Sequence, residues 1–420
     1  MGWLIIAFFP LSYASYATFV PSAFFPMNSI RIAFAVTIGI ILSNRDYNSS
    51  PQRVLKLISV KIIMLFLIMI FLVSYNERLM PLISNYIPGF MFAIILPFIL
   101  IKDIHDLDKL VRIMCWQAAI IGMLIIVEYI SEFNIYDYFA KINEDSFGMY
   151  EYEKEILYRS GYKRVAGLGG NAVDTAYLLV FYFPLTLWYS FKKRFFFKLP
   201  ILFTIIGLIL LQTRAAFIAL GIIFVFLVYE NLIIRYKNSN NRSILFKSFV
   251  IIAFSMMLIS IIYPDIVTML ERFFQGMFTD YKGYGIDEKI DRIPIAINYI
   301  LSNPLTGYGS PSHVYYEVMR TADIPSPIIY FLSGGVFLGL VYLSMIISII
   351  FSTRKLIRYY VYKTNDIQLL IMITACLIAG FVVVFSNWRE KHFLTMFILF
   401  ISTMKVFVFN RHFKKSTEAT

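Results

Sequence analysis

The sequence predicts an all-α, polytopic transmembrane helical bundle of about twelve spans, with two long extracytoplasmic loops carrying short helices. Three observations carry this expectation. Apolar runs of about twenty residues recur along the chain, and roughly that many helical residues cross a ~30 Å hydrocarbon core. Hydrophobic residues make up 59% of the 420 positions and mean hydropathy is +0.72, which supplies many crossings. The runs are joined by short basic segments on one side and by two long, chemically mixed segments on the other.

Taken in order, the expected spans are Trp3 to Val20, Met27 to Leu42, Val54 to Ser74, Ser84 to Ile101, Leu110 to Ile130 and Asn171 to Phe191. They continue through Leu199 to Leu211, Ala215 to Ile234, Ile244 to Tyr263, Ser326 to Phe351, Ile367 to Ser386 and Phe393 to Phe409. No heptad pattern, fixed-period repeat or low-complexity tail interrupts them. Residues 1–420 therefore read as a single integral membrane domain, with 131–170 and the larger 264–325 as extracytoplasmic insertions. Loops this long without evident structure of their own are usually functional.

Orientation follows from positive charge, because short cytoplasmic loops retain Lys and Arg. Basic clusters at Arg45/Arg53/Lys56, Lys102/Lys109/Arg112, Lys192/Lys193/Arg194/Lys198, Arg235/Lys237/Arg242/Lys247, Arg354/Lys355/Arg358/Lys363 and Arg411/Lys414/Lys415 fall in alternate connections. Placing all of them inside puts both termini in the cytoplasm and both long loops outside the plasma membrane. The net charge of +12 then sits beside anionic headgroups, which argues against nucleic acid as its partner.

The first run lacks a basic n-region and a small-residue cleavage pattern, so it is expected to be a retained span. Cys115 and Cys376 both lie in apolar runs and indicate no disulfide framework. His105, His313, His392 and His412 have no metal-ligand spacing, so neither metal nor cofactor is expected.

Function is then sought in the outer loops and the arginines beside them. The first loop turns from Tyr, Asp and Glu over Ser131 to Glu155 to a basic and glycine-rich end, Tyr158-Arg159-Ser160-Gly161-Tyr162-Lys163-Arg164-Val165-Ala166-Gly167-Leu168-Gly169-Gly170-Asn171. Glycines allow tight folding against a ligand or the next helix. With no Lys-Ser/Thr pair following, this is not a nucleotide loop; a plain turn into the next span accounts for it equally well.

In the second loop, Asp291 can cap a helix whose first turn tolerates Pro294, with Ile293, Ile297, Ile300 and Leu301 on one apolar face and Asn303-Pro304 as its stop. Such a helix would rest on the outer membrane surface and aim its N-terminal N–H groups at the same place as Arg292, an arrangement suited to phosphate. An interfacial arginine snorkelling to headgroups satisfies the same spacing. Arg214 lies in Leu211-Gln212-Thr213-Arg214-Ala215-Ala216, between two runs together too long for one crossing, so a tight outer hairpin must turn near it. A charge that close to hydrocarbon faces a partner, a wet cavity or the headgroups.

If the fold brings Arg164, Arg214 and Arg292 together, their planar, permanently charged guanidinium groups form a clamp for a diphosphate. Acceptor activation has less distinctive candidates. Asp174 opens a span, and Asp291, His313, Glu317 and Asp323 lie in the second loop, where most carboxylates are simply solvated. Tyrosines such as Tyr162 and Tyr308 can stack on sugars, although aromatic residues also collect at any bilayer interface.

The series Arg164-Val165-Ala166-Gly167-Leu168-Gly169-Gly170-Asn171, Gln212-Thr213-Arg214-Ala215-Ala216, Arg292 through Asn303-Pro304-Leu305-Thr306-Gly307-Tyr308-Gly309, and Gly334-Gly335-Val336-Phe337-Leu338-Gly339 resembles the O-antigen ligase and polymerase superfamily over Tyr158 to Leu340. That resemblance implies a metal-independent glycosyltransferase acting on undecaprenyl-diphosphate-linked oligosaccharides outside the bacterial plasma membrane. Arg164, Arg214 and Arg292 would handle the lipid diphosphate, with Asn171, Tyr308, His313 and Tyr162 binding substrate and Asp323, Glu317 or Asp291 activating the acceptor. Partners would be the lipid-linked substrates, membrane lipids, a chain-length regulator and a flippase.

Two departures shape the expectation. The His-Asn pair usual in ligases before the span after the long loop is replaced by Asp323-Ile324-Pro325-Ser326-Pro327, and the Pro-Asn of the first motif is Gly170-Asn171. The missing histidine favours a polymerase of O-antigen or capsular repeat units over a ligase delivering glycan to lipid A core, unless His313 folds into the site. A flippase or other transporter is the rival from another class. Its related halves and midplane charges are not evident in the sequence.

Overall fold

The computed structural model describes Trp3 and residues 87–131, 158–159, 162–163, 165, 167, 172–192, 198–211, 213–237, 286–308, 326–360, 366–386 and 390–417. The expected spans Met27 to Leu42, Val54 to Ser74 and Ile244 to Tyr263, and Trp3 to Val20 beyond Trp3 itself, lie outside the described residues.

Helices α1 (Ile87–Leu100) and α2 (Ile104–Ser131) are followed by a two-residue antiparallel ladder, β1 (Tyr158–Arg159) and β2 (Tyr162–Lys163). Then come α3 (Ala172–Lys192), α4 (Leu199–Leu211), α5 (Arg214–Lys237), α6 (Ile286–Ser302), α7 (Ser326–Tyr360), α8 (Asp366–Ser386) and α9 (Glu390–Thr417). Among the described residues, the regular structure apart from that ladder is helical. Ile104–Ser131 and Gly334–Arg358 are long and apolar enough to cross a membrane, and Leu199–Leu211, Ala216–Glu230, Ile293–Ser302, Ile367–Val382 and Thr395–Val408 are shorter apolar stretches.

Local chemistry sets the helix ends. Asp103 caps α2, its Oδ1 accepting from the backbone N–H of His105 at 2.9 Å and of Asp106 at 3.0 Å. At the C-terminus of α1, the Phe98 carbonyl accepts from Lys405 Nζ of α9, so a cation meets the negative end of a helix. Several buried hydroxyls bond back within their own helices, as Thr186 to the Phe183 carbonyl, Thr374 to Leu370 and Ser402 to Ile398. This leaves no demand on lipid, which can satisfy none.

Because lipid tails are as apolar as Leu, such helices associate through close packing more than through escape from water. α8 packs against α3, α5, α7 and α9, with Cys376, Ala375 and Ala379 fully buried. α2 and α4 cross at Gly122 and Gly207, where the Gly122 Cα lies 3.3 Å from the place a Gly207 Cβ would take. Gln117 and Cys115 are buried on the same helix.

Two sequence expectations are corrected. Ser326 to Phe351 is not one continuous span: α7 breaks at Gly334 (φ −128°, ψ 21°) and Gly335 (φ 69°, ψ −169°). Twelve residues of straight helix rise ~18 Å, yet the rings of Tyr330 and Tyr342 stack at 4.0 Å between centroids, so the segment before the break folds back along the segment after it. The span-length helix thus starts at Gly334. Likewise, α6 begins at Ile286, not at Asp291. Pro294 lies inside it, removing the donor that the Ile290 carbonyl would otherwise meet, and Pro294 itself is exposed.

Candidate functional site

Three segments singled out by sequence come to one end of the bundle. At the first, the Gly167 N–H donates to Glu128 Oε2 near the C-terminus of α2 at 2.9 Å, and Val165 is buried at 1% exposure. Gly167 has φ +70°, and a Cβ there would come within 2.7 Å of Thr175 Oγ1 in the first turn of α3. The chain after Arg164 is therefore pinned between α2 and α3.

At the second, α4 ends at Leu211 and α5 starts at Arg214, the tight hairpin expected from sequence. Thr213 caps the new helix, its carbonyl accepting from the Ala216 N–H at 3.1 Å. Its buried hydroxyl lies 3.2 Å from the Leu211 carbonyl and 3.5 Å from the carbonyl of Ala172, the first residue of α3. The backbone at Arg214 thus adjoins the backbone after Asn171. Two helix N-termini, α3 and α5, meet here, and their positive dipole ends favour an anion.

At the third, the turn after α6 docks in the α7 break. Tyr308 N–H donates to the Leu332 carbonyl at 2.7 Å, and Val336 N–H donates to the Pro304 carbonyl at 2.7 Å. Asn303 closes the turn: its Nδ2 donates to the Gly307 carbonyl at 2.7 Å and its Oδ1 accepts from Thr306 Oγ1 at 2.8 Å. Behind the turn, Ala296 and Leu332 are buried with Tyr299, Ile300, Tyr308 and Ile328 packed around them.

An ion pair shows that these segments share an end. Arg354 Nε bonds Glu230 Oε1 at 3.0 Å, joining the C-terminal parts of α7 and α5, and Arg354 also lies over the Tyr229 ring. Both helices pack along α8, which follows α7 after a five-residue connection, so with their C-terminal parts joined their N-terminal parts, the α7 break and Arg214, run to the opposite end. Glu230 is 4% exposed, and a buried carboxylate persists only with such a partner.

Arg214 is the first residue of α5; Arg292 and Asp291 lie in the second turn of α6 rather than at its cap. That removes the helix N-terminus from the argument for phosphate at Arg292. Tyr162 lies in β2, paired with Arg159. Tyr308 is half-buried, its ring edge-on to Tyr299 at 5.7 Å between centroids. Arg164, Asn171, His313, Glu317 and Asp323 lie outside the described residues, although Val165 and Ala172 place the chain beside two of them. Among the described residues, no group of three His, Cys, Asp or Glu side chains is placed to share a metal ion.

Sequence reasoning missed Glu128, Thr213 and the joint between the Asn303 turn and Gly334-Gly335. Glu128 had a signal, a lone carboxylate near the end of an apolar run. The joint had only two glycines inside such a run.

A comparison with curated proteins finds no match. Residues 199–331, 133 of the 420 positions, match the family model described as O-Antigen ligase. The matched stretch runs from α4 through the Arg214 hairpin and α6 into the start of α7. That family suggests a glycosyl-transferring enzyme, and the apolar helices fit a membrane protein. The match takes in the Arg214 hairpin and the Asn303 turn, and over that stretch the chain is similar to the O-antigen ligase family.

Proposed function

We propose that the protein is a polysaccharide polymerase of the bacterial plasma membrane, joining undecaprenyl-diphosphate-linked oligosaccharide repeat units on the extracytoplasmic face. The observation that carries this reading is the convergence of the segment after Arg164, the Arg214 hairpin and the Asn303 turn docked at Gly335 on one end of the bundle, with the hairpin and the turn inside the O-antigen ligase match. An acceptor-sugar hydroxyl attacks the anomeric carbon of the growing chain. The new glycosidic bond forms as the bond from that carbon to the phosphate oxygen breaks, and undecaprenyl diphosphate departs.

Negative charge grows on the departing diphosphate, and arginines stabilise it more in the transition state than before it. Arg214 at the paired N-termini of α3 and α5 is the leading group for this work, with Arg292 and Arg164 completing the clamp. Asp323, Glu317 and Asp291 are the candidates to take the hydroxyl proton. Asn171, Tyr162, Tyr308 and His313 would contact sugar or diphosphate. Both termini would be cytoplasmic, and a flippase and a chain-length regulator would act before and alongside the enzyme. The replaced His-Asn pair favours polymerase over ligase.

Purified protein in liposomes should lengthen lipid-linked repeat units into a ladder without added nucleotide, and Arg214→Ala and Arg292→Ala should slow this by roughly 100-fold while leaving the folded fraction unchanged. Normal elongation by both variants would refute the arginine assignment. Transfer to lipid A core without elongation would establish a ligase, and translocation alone a transporter.

A further inference from the structure

The docked turn occupies a place that an unbroken helix would fill for itself. In a continuous α7, the Val336 N–H would bond the Leu332 carbonyl, four residues back. Here the turn takes both halves of that missing bond: Pro304 accepts from Val336 and Tyr308 donates to Leu332, each at 2.7 Å. Gly335 makes this possible. Its φ of 69° and ψ of −169° fall in a region essentially restricted to glycine, and a Cβ there would lie 2.5 Å from the carbonyl oxygens of both Pro304 and Leu305.

Little else in the described contacts holds α6. The apolar cluster between α6 and α7 has only Ala296 and Leu332 fully buried and is separate from the main core. On the other side of α6, Ile297 and Leu301 remain exposed. Among the described residues, position along and around α6 is therefore set by the two backbone bonds and by the Asn303 and Thr306 side chains that keep the turn closed.

We propose that the Asn303–Tyr308 turn, seated in the Gly334–Gly335 break, is a latch that positions α6 and with it Arg292 for glycosyl transfer, with Asn303, Thr306 and Gly335 as positioning residues. The inference rests on the reading of Arg292 as a diphosphate-handling group. A latch of this kind acts on the geometry of the transition state, so loosening it lowers kcat more than it raises KM.

The test combines elongation kinetics with a distance measurement independent of activity. Asn298→Cys on α6 and Ile347→Cys on α7, both at exposed positions, carry nitroxide labels, while native Cys115 and Cys376 are buried. Gly335→Ala should broaden or shift the label distance and lower kcat by roughly 100-fold with KM little changed. Thr306→Val should give the same signature at about fivefold, and Thr306→Ser, which keeps the hydroxyl, should restore wild-type values. Where Gly335→Ala does not fold, the Thr306 pair decides: equal kcat for Val and Ser overturns the latch. Normal elongation by Gly335→Ala beside a disabled Arg292→Ala overturns the latch alone, and an unchanged label distance does so as well. A wild-type protein that does not elongate overturns the functional reading beneath it.

Discussion

Gly122→Ala tests how closely the two helices beneath the site are packed. A Cβ on Gly122 would lie 2.3 Å from the Phe203 carbonyl oxygen and 2.6 Å from its carbon, in the backbone of α4. A carbon resting on a carbonyl oxygen needs ~3.3 Å, so α4 must retreat by about 1 Å. Backbone in a helix cannot turn aside as a side chain can, and overpacking of this kind costs ~1–3 kcal/mol. The gap opened on either side forfeits a quarter to a half of the dispersion energy of the contacts lining it.

Gly207→Ala, at the same crossing, supplies the control: its Cβ would meet the Leu179 methyl at 3.0 Å and the Ile125 methyl at 3.2 Å, which can shift, and the Gly122 Cα at 3.3 Å, which need give only a few tenths of an ångström, so the cost is less than about 1 kcal/mol. Thermal unfolding followed by size-exclusion in detergent should rank wild type first, Gly207→Ala close behind, and Gly122→Ala several degrees lower. Because α2 carries Glu128 and α4 leads to Arg214, Gly122→Ala should also reduce elongation. Equal melting of Gly122→Ala and wild type, or a melting point for Gly207→Ala below that of Gly122→Ala, would refute the packing argument.

Other perturbations separate structure from chemistry. Glu230→Ala leaves Arg354 without its carboxylate partner and should cost about 3 kcal/mol, whereas Glu230→Met with Arg354→Met should recover most of that loss in a double-mutant cycle; additive losses would deny the coupling. Glu128→Ala removes the acceptor for the Gly167 N–H at a cost of ~1–2 kcal/mol, so that amide should exchange its hydrogen faster, while Glu128→Gln keeps an acceptor and should exchange nearly as wild type. Equal exchange in all three proteins would show that the bond does not hold the segment.

Much of the fold was legible because hydropathy reports length and polarity directly. Leu199 to Leu211 and the turn before Arg214 could be read from two apolar runs whose sum exceeds one crossing. The stop at Asn303-Pro304 was equally plain, since Pro disfavours helical backbone in the residue before it. The start of α6 was misread because Asp291 followed by Pro294 has the form of a cap and a first turn, and nothing in local chemistry reports that helix already precedes it. Its apolar stripe was read as lying on the membrane surface; Ile297 and Leu301 of that stripe are exposed, while Ala296 beside it makes the buried contact with α7. Periodicity identifies an apolar stripe without saying whether protein or lipid covers it.

The break in α7 was hidden for a different reason. Gly334 and Gly335 sit in an uninterrupted apolar run, and hydropathy is insensitive to φ. The Glu128 to Gly167 bond and the contact between Thr213 and Ala172 join positions 39 and 41 residues apart, so no local pattern encodes them. Sequence therefore singled out the segments, and only packing relates them in space.

The central claim is that these gathered segments grip a polyprenyl diphosphate, and binding tests it most directly. Titration of undecaprenyl diphosphate into the purified protein in nanodiscs, with undecaprenyl monophosphate as comparison, should show a preference for the diphosphate. Arg214→Ala and Arg292→Ala should each weaken its binding by at least about tenfold, the equivalent of one charge-assisted hydrogen bond, while leaving monophosphate binding less affected. Equal diphosphate affinity in wild type and both variants would contradict the account.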